Sequence, residues 1–271
     1  MIHESFDREN DETGGWGGSI HGDISNPFGG GGGLLSPLPK VDEDKSWENT
    51  KADCVKQKLE AGGANSILNN LLAGFKLNSS VIDVKFYVSN IDYRGKKVKN
   101  GMCVYNQTTK KVYIYLSENR LNKSSLEVAR TILHESFHAY LYGKIHDGAI
   151  HNGLAPDPDF VTDFNNYAKV YGKGSSNSAQ HNYMATMYIR YMKEGLKEFF
   201  NSDPHYMEYA SNNSSDDRWN LDSMFEGLAW GGLRGTDSWK DFKLNNPAKV
   251  NDFNLQLSYF VNSYGFPKDC D

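Results

Sequence analysis

Along this chain the apolar positions change period, and the changes mark out the elements. In "VIDVKFYV" (Val81–Val88), Ile82, Val84, Phe86 and Val88 alternate with Asp83, Lys85 and Tyr87, the two-residue period of a half-buried strand. "GMCVYN" (Gly101–Asn106) and "KKVYIYLS" (Lys110–Ser117) read as two further strands separated by turn residues. Upstream, "DCVKQKLEAGGANSILNNLLAGFK" (Asp53–Lys76) spaces Val55, Leu59, Ile67, Leu71 and Leu72 as one or two short helices, broken at Gly62 and Gly63. Downstream, "NKSSLEVARTILHESFHAYLYGK" (Asn122–Lys144) switches to a helical period through Leu126, Ala129, Ile132, Leu133, Phe137, Tyr140 and Leu141. Ser124 with Glu127 three residues on forms a capping-box signal at its start. A last long helix is expected over "SSNSAQHNYMATMYIRYMKEGLKEFF" (Ser175–Phe200). The expectation is an α+β fold: a small, mostly antiparallel sheet, then one central helix and a helical C-terminal half.

From Met1 to about residue 51 the pattern is lost in Gly, Asp, Asn, Ser and Pro, including "FGGGGGLLSPLPK" (Phe28–Lys40). Such a stretch offers too little apolar surface to offset its ordering entropy, so residues 1–51 are expected to be a flexible arm and residues 52–271 one domain. No apolar run approaches the ~20 residues needed to cross a bilayer. The start "MIHESFDREND" carries neither the basic nor the apolar region of a classical secretory signal. A net charge of -5 with dispersed lysines argues against nucleic acid as a partner. The three cysteines, Cys54, Cys103 and Cys270, form no C-x-x-C pair. A Cys54–Cys103 bridge is compatible with this spacing, but buried free thiols are the expectation.

The tetrapeptide "HESF" occurs twice, at His3–Phe6 and at His134–Phe137. The first copy falls in the arm and has Asp7 where a second histidine would stand, so His3 and Glu4 are given no role. The second lies inside the helical pattern and continues to His138. Residues i and i+4 share a helix face, so His134 and His138 can bind one metal ion together, with Glu135 one position round to act on a water as general base. A catalytic zinc takes a third protein ligand. The metzincin spacing fails, because Leu141 and Lys144 stand where glycine and histidine are required. His146 and His151 sit in an unanchored loop pattern, and His205, beside Pro204, reads as a loop residue. His181 shares a helical stripe with Tyr188, Met192 and Phe199 and so faces inward, where a polar ring needs a partner. A metal or a backbone carbonyl would serve, and Asp163 and Glu226 are the acidic alternatives for the third position.

Three blocks in order, "TILHESFHAYL", "QHNYMATMYIRYM" and "LAWGGLRGTDSWKDF" (Leu228–Phe242), resemble the zincin metallopeptidase domains at the C-terminal ends of large bacterial polymorphic-toxin and related secreted proteins. The resemblance covers roughly Cys54 to Asp271. It implies a zincin-like fold, Zn2+ held by His134, His138 and His181, Glu135 as the catalytic residue, and a protein or peptide substrate. It also implies export by a specialised route and an immunity or carrier protein as partner. Two other classes compete: a structural or inactive zinc module, which requires a fourth protein ligand, and a zinc hydrolase of non-peptide amides. In the third block, Phe225, Leu228, Ala229 and Leu233 are expected to pack beneath the active-site helix. Gly231 and Gly232 permit a tight turn there, and Trp230 is expected in the core. Tyr183, Tyr188 and His151 are the candidates for stabilising an oxyanion.

Overall fold

The computed structural model describes residues 41–63, 66–76, 82–91, 99–106, 108–146, 176–216, 218–261, 266–267 and 270. The order of elements is β1 (Val41–Glu43), α1 (Lys51–Glu60), α2 (Ile67–Ala73), β2 (Asp83–Ser89), β3 (Gly101–Asn106), β4 (Lys111–Ser117) and α3 (Ser125–His146). Six helices follow: α4 (Ser176–Met187), α5 (Ile189–Ser202), α6 (Pro204–Asn213), α7 (Leu221–Ala229), α8 (Asp237–Asn245) and α9 (Pro247–Gln256). Among the described residues no helix is long and apolar enough to cross a membrane. Residues 41–50, which composition alone placed in the arm, belong to the folded body: β1 pairs with β2, and the Trp47 indole is fully buried against Phe86.

The four strands form one sheet in the order β1-β2-β4-β3. β3 and β4 are the expected antiparallel hairpin, with Gly101 opposite Leu116 and Asn106 opposite Lys111. The rest of the sheet corrects the mostly antiparallel expectation, because β1 runs parallel to β2 and β2 runs parallel to β4. The reason is connectivity. α1 and α2 carry the chain from β1 back over one face, and a strand that returns by such a crossover enters parallel. The hairpin then docks by its second strand rather than its first, which puts β3 at one edge of the described sheet and β1 at the other.

Val84, Phe86, Val112 and Ile114 point into the core, while Lys85, Tyr87, Tyr113 and Tyr115 line the other face. α3 lies against the core face and is enclosed by sheet, α1, α2 and α5, so residues 128–141 are buried on nearly every side. Ser124 caps the helix: Glu127 N–H donates to Ser124 Oγ, and the Ser124 hydroxyl reaches the Glu127 carboxylate, while the reciprocal backbone bond of a full capping box is not made among the described residues. A second device holds the same end, because the buried Tyr206 hydroxyl accepts from Leu126 N–H (2.8 Å) and donates to Pro267 C=O (2.9 Å).

The expected helix over Ser175–Phe200 is divided at Tyr188 into α4 and α5. The bonds Tyr188 N–H to Met184 C=O and Met192 N–H to Tyr188 C=O carry through the junction. His205, read as a loop residue, lies in the first turn of α6, where Pro204 occupies a position that needs no N–H and Asp203 caps the end. The cysteine expectation is also corrected: Cys54 of α1 is bonded to Cys270, and Cys103 is the free thiol. The C-terminal end returns to α1, whereas Cys103 on β3 faces Glu135 and Tyr142 instead.

Candidate metal centre

His134 and His138 project from one face of α3, and His181 meets them from α4. Their ring centroids lie 5.0 Å (His134–His138), 5.3 Å (His134–His181) and 4.8 Å (His138–His181) apart. One ring nitrogen from each falls within 4.8 Å of the others. His134 and His138 are buried, and His181 is partly exposed. Burial holds all three imidazoles neutral: His134 well below the usual histidine range, His138 down to about 4 and His181 down to about 3. Neutral rings keep the lone pairs that a metal needs, whereas three imidazolium ions could not crowd together here.

Glu135 occupies the next position round the helix. It packs against Gly101 at the start of the edge strand, where a Cβ would lie 2.9 Å from Glu135 Cγ and 3.0 Å from Oε1. Its carboxyl group lies close to the Cys103 N–H of β3. Burial pushes the carboxyl up to about 8, against the pull of Arg130, Lys99 and that N–H. A carboxyl so placed exchanges a proton near neutrality.

The third sequence block closes the other side. Gly231 and Gly232 run past α3 so closely that a Cβ at Gly231 would sit 2.7 Å from an Arg130 guanidinium nitrogen, and one at Gly232 3.1 Å from His134 Cε1. Gly232 has φ +85° besides, so both space and backbone conformation require glycine there. The same block ties down α4: Asp237 N–H donates to Asn182 Oδ1 (2.8 Å), and the Thr186 and Ser238 hydroxyls lie 2.8 Å apart. Trp230 is buried among Trp239 and Phe242, and Phe225, Leu228, Ala229 and Leu233 are buried with it.

The donor set fits a metal ion. Three neutral imidazoles suit zinc and the neighbouring transition metals, and His134 Nδ1 is buried without a hydrogen-bond partner among the described residues. Of the other candidates, Glu226 is held by Lys193 and Lys249 instead. Tyr188 is buried among Phe137, Tyr140 and Tyr183, and Tyr183 is half-buried beside it. His3, Glu4, His151 and Asp163 lie outside the described residues, as does the side chain of His146.

Sequence reasoning did not reach Gln180, whose side-chain carbonyl lies 2.6 Å from His138 Nδ1. Nor did it reach Gly101 and the Cys103 N–H, which seat Glu135. Gln180 adjoins His181, but nothing local marks its partner on another helix. Compared with known proteins, the chain matches no family model, no curated protein and no solved structure.

Proposed function

We propose that the chain is a zinc-dependent peptidase of zincin-like design, with His134, His138 and His181 holding the metal and Glu135 as general base. The observation that supports it most is the convergence of three neutral imidazoles from α3 and α4 beside the buried carboxyl group of Glu135. Bound zinc would supply Lewis-acid activation of a water and of the scissile carbonyl. Glu135 takes the proton from the attacking water and returns it to the leaving amine. Gly101 and the Cys103 N–H hold the carboxylate where it can do so.

An extended peptide would align along an open strand edge. β4 lies inside the sheet, so this role falls to β3, the edge strand that packs against Glu135. An edge of this kind favours a peptide over a smaller amide. A structural zinc site would need a fourth ligand, and among the described residues the histidine group gathers three.

The test is Glu135→Gln. The variant is expected to retain about one zinc per chain by elemental analysis and to lose cleavage of a mixed peptide library. Cleavage at the wild-type rate would remove Glu135 from the chemistry.

A further inference from the structure

His138 differs from His134 in what stands behind its ring. Among the described residues His134 Nδ1 is buried with no partner, whereas His138 Nδ1 lies 2.6 Å from Gln180 Oε1. Gln180 is itself buried, and its amide lies beside the Tyr142 hydroxyl. Tyr142 is one turn beyond His138 on α3, and its ring stacks on Tyr105 of the edge strand, with centroids 5.7 Å apart. The amide therefore has two fixed neighbours and two different ends. With the carbonyl given to the imidazole, the NH2 group is left to donate to the phenol oxygen.

We infer that Gln180 is a positioning residue for the metal centre: its carbonyl holds His138 as the Nδ1–H tautomer, which leaves Nε2 bare for a metal, and Tyr142 keeps the amide from turning over. The inference rests on the metal-centre reading above. Which imidazole nitrogen carries the proton is set by the bond the other makes. A turned amide would donate to Nδ1, put the proton on Nε2 and remove that ligand. The phenol thus works at two removes from the metal, through the amide and then the ring. Outer partners of this kind are worth about 10- to 100-fold in metal affinity. The residue before the third ligand would then matter nearly as much as the ligand itself.

Two measurements test it on the whole chain. First, long-range 1H–15N spectra of the metal-free wild type should show His138 protonated at Nδ1; an Nε2–H ring overturns the inference whether or not metal binds. Second, zinc affinity is measured by competition with a chromogenic chelator for wild type, Gln180→Leu, Gln180→Glu and Tyr142→Phe, with circular dichroism to show that each is folded. Gln180→Leu should bind zinc about 10- to 100-fold more weakly. Gln180→Glu, which keeps an acceptor facing Nδ1, should bind at least as tightly as wild type, and Tyr142→Phe should lose less than Gln180→Leu. Wild-type affinity in a folded Gln180→Leu overturns the positioning role and leaves the centre standing. A wild type that binds no zinc overturns the centre, while the tautomer still reports on Gln180.

Discussion

Adding one methyl group at Gly101 separates the seat of Glu135 from general packing. An alanine Cβ there would lie 2.8 Å from Thr131 Cγ2 and 2.9 Å from Glu135 Cγ. Carbon atoms rest about 3.5–4.0 Å apart, so these groups must retreat by at least about 0.6 Å. α3 cannot yield as a body, being enclosed on nearly every side. The Glu135 side chain must therefore shift against the Cys103 N–H. Overpacking of this kind costs about 1–3 kcal/mol of stability. A misplacement of about 1 Å at a reacting group costs about 100-fold in rate, so kcat should fall roughly 10- to 100-fold.

Gly227→Ala supplies the control. A Cβ there would lie 2.9 Å from Phe253 Cβ, a clash of similar closest approach between α7 and α9, outside the histidine trio. Urea unfolding should show comparable losses for the two variants, and peptide cleavage should fall steeply only for Gly101→Ala. If kcat drops no further in Gly101→Ala than in Gly227→Ala, β3 does not seat the carboxylate and the account of the base is wrong.

Replacing His181 with alanine should release zinc on gel filtration, whereas His205→Ala, on the first turn of α6 and outside the histidine trio, should keep it; retention in both would remove His181 as a ligand. Tyr206→Phe leaves the buried Leu126 N–H without its acceptor and should destabilise the fold by about 1–3 kcal/mol in urea titrations, with an unchanged midpoint as the contrary result. Reducing the Cys54–Cys270 bridge, which spans 216 residues, should cost about 2–5 kcal/mol. Thiol titration of the denatured chain should then rise from one group to three, and equal melting temperatures with and without reductant would argue against the bridge. Bonds of this type persist where thiols are kept oxidised.

The parts of the fold that could be read from sequence are those with a local period. The alternation at Ile82–Val88 and the capping box at Ser124 and Glu127 gave β2 and the start of α3, because each signal lies within one element. The i, i+4 spacing of His134 and His138 is equally local. Strand order was hidden, since no residue of β4 records that it pairs with β2 rather than with β3 alone. β1 was hidden too: "VDE" is too short to show a period, and its membership depends on Trp47 and Phe86 meeting across 39 positions. His181 was found because an inward polar ring stands out on an apolar stripe. Gln180 was not, since its turn of helix offers no such contrast and its partner is 42 residues back. Cys270 likewise pairs with the far end of the domain. What escaped the sequence is contact at long range between single side chains.

The bridge between Cys54 and Cys270 has a bearing on what happens when the backbone is cut. Every residue of the histidine trio lies inside the loop it closes. A single nick between His138 and His181 would leave two fragments, one bearing α3 and the other α4, still joined through sulfur. Their reunion is then an intramolecular event at an effective concentration of order millimolar, independent of dilution. Such a tether turns a first cut in that stretch from a loss of the molecule into a change of its topology.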